Sequence, residues 1–325
     1  MLRREGKLVS IAVATYNGER FLQQQIDSLV KQTYRPIEIL ISDDCSTDGT
    51  MGVLRKFEVD YPDIVQIFQN KRNLGYISNF EKVLSHCKGD FIALCDQDDI
   101  WRLNKIELLL NNIDKYDLVH SDARLIDREG DIIADSYSKY ASKVVDDYSF
   151  LTILNNNSVT GCTSLIRREL FDRATPFPSC IPHDHWLALL AADGNGIKYQ
   201  KETLVDYRQH SGNAIGAQCA KRNISILSLI QKNINSWSLS QRKMHKSAIL
   251  MLKGLKRAGV TRITSRSMHH IKKLYRYHSS YFIKKVRVWS FIYHLKHFSN
   301  FNTNKDPVTR ILRLIVSLYG ESKKR

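Results

Sequence analysis

The chain has 325 residues, of which 43% are hydrophobic and 25% charged, with a formal net charge of +16. This length allows one large domain or two ordinary ones, and the composition is that of a globular protein. No apolar run approaches the roughly 18 residues of a spanning helix, and the N-terminal MLRREGKLVS lacks the apolar core of a secretory signal. We therefore expect neither a membrane span nor secretion.

The charge is unevenly distributed along the chain. Residues 1–216 hold 25 Lys/Arg and 31 Asp/Glu, a balance of −6, whereas residues 217–325 hold 24 and 2, a balance of +22. A mildly acidic body is thus followed by a strongly basic segment. This asymmetry predicts that the two parts face different partners.

The cysteines are scattered and form no C-x-x-C pair. This pattern favours free thiols in a reducing cytosol over a disulfide framework or a zinc ribbon. The six are Cys45, Cys87, Cys95, Cys162, Cys180 and Cys219.

Strand and helix signals alternate through the first 135 residues. Such an order predicts an α/β fold with a mostly parallel sheet covered by helices on both faces. The predicted elements are strand 8–14, helix 19–32, strand 37–42, a helix from a cap at 46–48 to about 60, strand 64–68, helix 76–87, strand 90–95, helix 102–113 and strand 117–121.

The rest of the acidic body is more mixed. We predict a hairpin over 125–133, a strand over 159–166, a helix from 183 and a strand over 202–208. Beyond residue 217 strand signals largely stop and helical periodicity appears. One predicted helix face carries Ile271, Leu274, Tyr281, Phe282, Val286, Trp289, Ile292 and Tyr293.

Polar residues follow three of the predicted parallel strands. Thr15-Tyr16-Asn17 follows the first, Asp43-Asp44 the second, and Asp96-Gln97-Asp98-Asp99 the fourth. Ligands of such sheets bind beyond the carboxyl ends of the strands. The topology is therefore expected to bring these three clusters to one rim.

The acidic cluster Asp96-Gln97-Asp98-Asp99 needs a positive partner, because like charges this close repel. Carboxylate oxygens attract Mg²⁺ or Mn²⁺, and Mg²⁺ is commonly shared between a carboxylate and substrate phosphates. The sequence therefore predicts a metal bridging protein and diphosphate. An alternative is a solvated acidic turn that caps the helix starting near residue 102.

Four motifs occur in a fixed order: VSIAVATYNGERFLQQQIDSLVKQTY, IEILISDDCSTDGT, NLGYISNFEKVL and GDFIALCDQDDIW. In that order and spacing they resemble the family-2 glycosyltransferases of GT-A fold, over about residues 8–216. DQDDIW and the later YRQHSGN are most similar to bacterial members that build surface polysaccharides, including rhamnosyltransferases. The resemblance implies a Rossmann-like sheet and transfer of a sugar from a nucleotide diphosphate.

The resemblance also implies a role for each matching residue. It places Thr15, Tyr16 and Asn17 in the nucleotide pocket, Asp44 at the pyrimidine N–H, Arg72 near the nucleotide, Asp96 near the ribose, Asp98 and His210 on the metal with Asp99 as helper, and Asp184 as catalytic base.

A single base opposite the leaving group implies inversion at the anomeric carbon. Asp184 has an alternative reading as the N-cap of a helix beginning at His185. A zinc site of His120, His183, His185 and His210 is a further alternative, although no metal-ligand spacing supports it. Trp101 and Trp186 are interpreted as packing residues or as platforms for a sugar ring.

We accordingly predict two regions, a nucleotide-sugar glycosyltransferase domain over 1–216 and a basic, mainly helical extension over 217–325. The extension could lie on an anionic membrane surface, form a packed helical subdomain or bind nucleic acid. The family favours the first, peripheral at the cytoplasmic face of the cell membrane, near a lipid-linked saccharide acceptor. The expected donor is dTDP-rhamnose or a UDP-sugar, and no nucleic-acid partner is expected.

Two other classes of function remain open from the sequence. One is a non-catalytic protein that binds nucleotide sugars on the same fold. The other is a nucleic-acid-associated protein that uses the basic segment. Donor turnover would exclude the first, and the absence of salt-dependent duplex binding would exclude the second.

Overall fold

The computed structural model describes residues 6–143, 145–155, 157–210, 250, 253–255 and 257–260. They belong to one compact unit, Met1–Asn235 with Lys246–Arg262. The predicted boundary at 216/217 and the predicted apolar stripe from Ile271 to Tyr293 lie outside the described residues. The two-region division therefore stays a prediction.

The strands form a single mixed sheet in the order β3-β2-β1-β4-β8-β6-β9-β5, with β7 paired to β6. The strands are β1 Val9–Thr15, β2 Ile37–Asp43, β3 Val65–Gln69, β4 Phe91–Cys95, β5 Ile100–Trp101, β6 Leu118–Ile126, β7 Ile132–Ala134, β8 Ser164–Arg167 and β9 Ile197–Arg208.

Helices separate most of the strands along the chain. The helices are α1 Glu19–Val30, α2 Thr50–Asp60, α3 Tyr76–His86, α4 Lys105–Ile113, α5 Tyr137–Tyr140, α6 Phe150–Asn155, α7 Arg168–Ala174 and α8 His183–Asp193, with a 3-10 turn at Gly161–Thr163.

The first four strands are parallel, as predicted. Val9 of β1 pairs with Ile37 of β2 on one side and with Phe91 of β4 on the other. β2 and β4 are buried along their whole lengths, because helices cover both faces of this part of the sheet. Their carboxyl ends therefore lie at one rim.

The second half of the sheet is mixed. β8 runs antiparallel to both β4 and β6, while β9 runs parallel to β6. The two-residue β5 pairs with β9, placing Ile100 opposite Asp206. Through this pairing β9 lies beside the acidic loop that follows β4, and the two segments converge at the same rim.

Several boundaries differ from the prediction. The strand expected over 159–166 is only Ser164–Arg167, preceded by a 3-10 turn, and β9 begins at Ile197 instead of 202. α5, α6, α7 and β5 were not predicted. Short apolar segments give strand and helix nearly equal support, and their tertiary neighbours decide between them.

Part of the predicted C-terminal extension packs on the first region. Leu255 is fully buried, and Gly254 lies so close to Pro178 and Trp186 that a side chain there would collide with them. No helix among the described residues is long and apolar enough to cross a membrane. No disulfide joins the five cysteines in the described part of the chain, and Cys219 lies outside it.

Candidate functional site

A cavity of about 630 Å³ opens at the carboxyl ends of the parallel strands. The topology thus brings the three polar clusters to one rim, as predicted from the strand order. Six of the predicted site residues line this cavity: Thr15, Tyr16, Asp44, Asp96, Asp98 and Asp184.

Asp44 is buried at the end of β2 and anchors the loop before α3. Its Oδ1 accepts from the backbone N–H of Leu74 at 2.8 Å, and its Oδ2 accepts from Gly75 N–H at 2.9 Å. The side chain of Asn70 donates a third bond at 2.8 Å. A carboxylate has about four lone-pair sites, so Asp44 retains capacity for another donor such as a pyrimidine N–H.

Two predicted nucleotide-binding residues lie away from the cavity wall. Asn17 has a positive φ of 49° and joins two loops, since its side-chain oxygen accepts from Thr47 N–H at 2.9 Å. Arg72 is exposed on the loop that Asp44 anchors. Neither side chain lines the cavity, and their roles remain predictions.

Asp98 and His210 meet at the cavity edge. Nε2 of His210 lies 2.8 Å from Oδ2 of Asp98, and the His210 ring packs 4.9 Å from the Phe21 ring. The two residues are 112 positions apart and are joined by the pairing of β5 with β9. The contact places the two predicted metal ligands side by side, and their role on a metal stays a prediction.

Arg208 ties the acidic loop to β9, and the sequence reasoning missed it. Its Nε donates to the Asp98 carbonyl at 2.8 Å, and its backbone N–H donates to Oδ1 of Asp99 at 3.0 Å. The side chain is only 2% exposed. A basic residue at the end of a predicted strand was the available sequence signal, because buried cations need anionic partners.

Lys105 is a second positive partner of the acidic loop, and it too was missed. It is fully buried, donates from Nζ to the Cys162 carbonyl at 2.5 Å and lies 3.1 Å from the centre of the Trp101 ring. Burial lowers the pKa of Lys105 to about 7, whereas burial and the charge of Asp98 raise the pKa of Asp96 to about 7. The fold itself therefore supplies part of the charge compensation that the sequence analysis assigned to a metal.

Two groups of residues offer ligands to a cation. Asp96, Asp99 and Cys162 have ligand atoms within 4.8 Å of one another, but burial raises the pKa of the Cys162 thiol, which therefore keeps its proton, and Lys105 lies beside them. Asp98 with His210 fits better, since a carboxylate and an imidazole suit Mn²⁺ and face the cavity edge. Asp99 accepts from Arg208 below the cavity, away from its wall.

Asp184 lies in the first turn of α8 and lines the cavity. The helix begins at His183, with Pro182 before it, so the alternative of an N-cap for a helix starting at His185 is wrong. Oδ1 of Asp184 accepts from the His185 N–H at 2.6 Å. The positive end of the helix dipole favours a carboxylate at this position.

The predicted histidines have separate surroundings. Nε2 of His120 lies 2.7 Å from the Tyr148 hydroxyl, Nε2 of His185 lies 2.7 Å from the Ile153 carbonyl, and the His183 ring stacks on Phe80. In the described part of the chain they form no metal-ligating group with one another. The zinc alternative therefore has no structural support.

Further residues of the site gave no sequence signal. Lys143 lines the cavity, donates to the hydroxyl of Thr160 at 2.6 Å and has its pKa lowered by burial to about 8. It lies in a long connection without a motif.

Trp101 and Trp186 are almost fully buried, as expected for packing residues.

A mostly parallel, Rossmann-like sheet with a carboxylate-lined cavity at the carboxyl ends of its strands is typical of nucleotide-binding α/β proteins. The family model for glycosyl transferase family 2 matches residues 10–174. The chain is 30% identical over 246 residues to the dTDP-rhamnosyl transferase RfbG of Shigella flexneri, covering 69% of this chain and 80% of that protein. The chain belongs to glycosyl transferase family 2.

Other relatives agree with this assignment. An uncharacterised glycosyltransferase of Rickettsia typhi is 28% identical over 261 residues, 76% of each chain. The crystal structure of S. aureus TarS 1–349 in complex with UDP-GlcNAc matches with a TM-score of 0.56 and 17% identity, over 84% of this chain and 72% of that one. The fold is thus that of the GT-A glycosyltransferases.

Proposed function

We propose that the protein is an inverting, metal-dependent glycosyltransferase that moves a sugar from a nucleotide diphosphate donor to a saccharide acceptor in bacterial surface polysaccharide synthesis. The observation that carries the proposal is the cavity that holds Asp44, Asp96, Asp98 and Asp184 together. Family membership supports sugar transfer, and the cavity supplies candidate groups for each part of the reaction.

We assign one group of these residues to the nucleoside and another to the metal. Thr15, Tyr16 and Asp44 would hold the nucleoside, with Asp96 near its ribose. Asp98 and His210 would hold Mn²⁺ or Mg²⁺, which when bound offsets the charge that develops on the departing diphosphate. Their contact at 2.8 Å supports this assignment.

Asp184 would accept the proton of the attacking acceptor hydroxyl. A sugar hydroxyl is a weak nucleophile, and a positioned base contributes roughly 10²–10⁴-fold to the rate. The bond from the acceptor oxygen to C1 forms as the bond from C1 to the diphosphate oxygen breaks. Attack from the face opposite the leaving group inverts the anomeric centre.

The donor we favour is dTDP-rhamnose, with a UDP-sugar as the second choice. The similarity to a dTDP-rhamnosyl transferase supports the first, and the similarity to a fold that holds UDP-GlcNAc supports the second. Both nucleotides carry a pyrimidine, whose N–H suits the remaining lone pairs of Asp44.

The basic segment would bring the enzyme to a lipid-linked acceptor at the cytoplasmic face of the membrane. The balance of +22 over residues 217–325 supports this, since each Lys or Arg near an anionic surface adds about 1 kcal/mol. Co-sedimentation of the full chain with phosphatidylglycerol vesicles, and not with phosphatidylcholine vesicles, is expected. Sedimentation with neither kind of vesicle would refute the membrane role.

Calorimetric titration of dTDP and UDP with Mn²⁺ or Mg²⁺, and then with EDTA, tests the proposed site. One nucleotide should bind in the presence of metal, and EDTA or Asp98→Ala should weaken binding at least 10-fold, in the range seen when metal sites lose a ligand or its support. Asp27→Ala, in α1 and outside the cavity lining, is the matched control.

Two outcomes would contradict the proposal. Absence of binding of either nucleotide under every metal condition would remove the donor site. Tight binding without turnover of any nucleotide sugar would favour the non-catalytic alternative.

A further inference from the structure

His183 is a polar side chain in the cavity wall, and its ring nitrogens have no hydrogen-bond partner in the described part of the protein. It is the first residue of α8, lies next to Asp184 and is 7% exposed. Neither Nδ1 nor Nε2 has a hydrogen-bond partner among the described residues, although both atoms are buried. Buried polar atoms are rarely left unpaired, since their desolvation is then uncompensated.

The orientation of the ring is fixed by its neighbours. It stacks on Phe80 with centroids 3.8 Å apart and planes inclined by 19°, and the Tyr76 ring meets it edge-on at 6.2 Å. Gly161 leaves room for it, because a Cβ at that position would lie 3.0 Å from Nε2. The unsatisfied nitrogens are therefore held in place before any ligand arrives.

The chemistry of the ring suits a hydroxyl group. Burial lowers the pKa of His183, so the imidazole is neutral near pH 7. A neutral imidazole presents one N–H donor and one acceptor, and a hydroxyl group likewise donates and accepts. A hydroxyl-rich ligand is the natural partner.

The position of His183 indicates which ligand this is. Gly161 lies against it and precedes Cys162, whose thiol lies within 4.8 Å of the ligand atoms of Asp96. Asp184 follows it directly. His183 thus lines the same cavity as Asp96 and Asp184, the residues proposed to flank the transferred sugar ring.

We infer that His183 hydrogen-bonds a hydroxyl group of the donor's sugar ring and so contributes to recognition of the sugar, an inference that rests on the proposed function. The ring contacts of His183 are with Phe80 and Tyr76, neither of which is among the residues proposed to hold the nucleoside, Thr15, Tyr16 and Asp44. His183 therefore affects binding of the nucleotide sugar and leaves binding of the nucleotide diphosphate unchanged.

The test compares two ligands on one variant. The pairs dTDP with dTDP-rhamnose and UDP with UDP-GlcNAc are titrated into the wild-type protein and His183→Phe in the presence of Mn²⁺. Phenylalanine keeps the stacking on Phe80 and removes both nitrogens. The Kd of the nucleotide sugar should rise about 5-fold or more, the loss expected for a hydrogen bond, while that of the diphosphate changes less than about 2-fold.

Two further variants keep the test interpretable. His86→Phe is a matched control, because His86 also stacks on a phenylalanine, Phe68, at 3.9 Å and 4°, but does not line the cavity. His183→Asn retains one donor and one acceptor and should recover part of the lost affinity. Thermal unfolding of each variant verifies that it is folded.

The possible failures can be told apart. If His183→Phe leaves both Kd values unchanged, the ring is a packing residue and the inference is wrong. If both Kd values rise equally, His183 supports the nucleotide or the fold, and the inference is again wrong. If the wild-type protein binds neither nucleotide, the proposed function itself fails, and the inference falls with it.

Discussion

At the scale of single residues, Asp184 lies at the start of a helix and also lines the cavity. Its carboxylate lies in the first turn of α8, where N–H groups and the helix dipole favour negative charge. Asparagine at this position keeps the shape and the acceptor oxygen for His185 N–H but cannot take a proton. The variant therefore separates a chemical role from a structural one.

We expect Asp184→Asn to lower the rate of sugar transfer roughly 10²–10⁴-fold, the usual contribution of a general base. Its affinity for the nucleotide diphosphate should stay unchanged, because the residues proposed to hold the nucleoside, Thr15, Tyr16 and Asp44, belong to other elements of the cavity wall. Release of nucleotide diphosphate from the donor under initial-rate conditions measures the first, and calorimetry measures the second. Asp172→Asn, exposed on α7, is the control, and equal activity of the two variants would refute the assignment.

At the scale of elements, close approach of the backbone fixes the turn from α3 into β4. A Cβ at Gly89 would lie 2.6 Å from the Leu8 carbonyl oxygen and 2.7 Å from the Ser10 nitrogen. Both atoms belong to the backbone and cannot move as a flexible side chain would. Gly52 differs, because it lies within α2 and a Cβ added there would meet no atom within 4 Å.

We therefore expect substitution by alanine to change the free energy of unfolding in opposite directions at Gly89 and at Gly52. Gly89→Ala should lower the free energy of unfolding by about 1–3 kcal/mol through overpacking against β1. Gly52→Ala should raise it by roughly 0.5–1 kcal/mol, because alanine favours the helix. Urea unfolding at equilibrium measures both, and an undiminished stability of Gly89→Ala would show that the turn is less closely packed than these distances require.

Among the elements, β9 positions the acidic loop, because Arg208 at its end and His210 just beyond it contact Asp98. Pairing of Ile100 with Asp206 brings Arg208 and His210 next to Asp98. Arg208 thus contacts the loop between β4 and β5 through the Asp98 carbonyl and the Asp99 carboxylate, and His210 contacts the Asp98 carboxylate at the cavity edge. Neighbours of this kind fix the orientation of a metal ligand before the ion binds.

At the scale of the whole molecule, His120 links stability to pH. It lies on β6, is 2% exposed, and burial lowers its pKa from the ordinary 6.5 to about 3. Between these values the unfolded chain binds the proton and the folded protein does not. The contribution of His120 to stability is therefore complete above pH 6.5 and is lost as the pH falls toward 3.

We expect the free energy of unfolding to fall between pH 6.5 and about 4 by up to about 1.4 kcal/mol per unit from this group alone. His120→Gln cannot bind the proton, so its stability should depend less steeply on pH over this range. Urea unfolding at several pH values measures the two slopes. Parallel slopes for wild type and variant would contradict the role of His120.

Much of this molecule followed from local sequence patterns. The alternating order of apolar strands and amphipathic helices predicted the four parallel strands, because the type of an element and its buried face follow from periodicities of two and 3.6 residues. The convergence of Thr15, Asp44 and Asp98 on one rim followed from that order, since parallel strands place their carboxyl ends together. Ordered motifs then identified the family.

Only the tertiary structure showed the charge partners of the acidic loop. Lys105 and Arg208 lie on α4 and β9, and their contacts with Cys162 and Asp98 join residues 57 and 110 positions apart. Only the tertiary structure likewise showed the unpaired nitrogens of His183 and the half-buried ammonium group of Lys143. Sequence periodicity determines which face of an element is buried, whereas the contacts between distant elements, which set burial, pairing and pKa, exist only once the chain has folded.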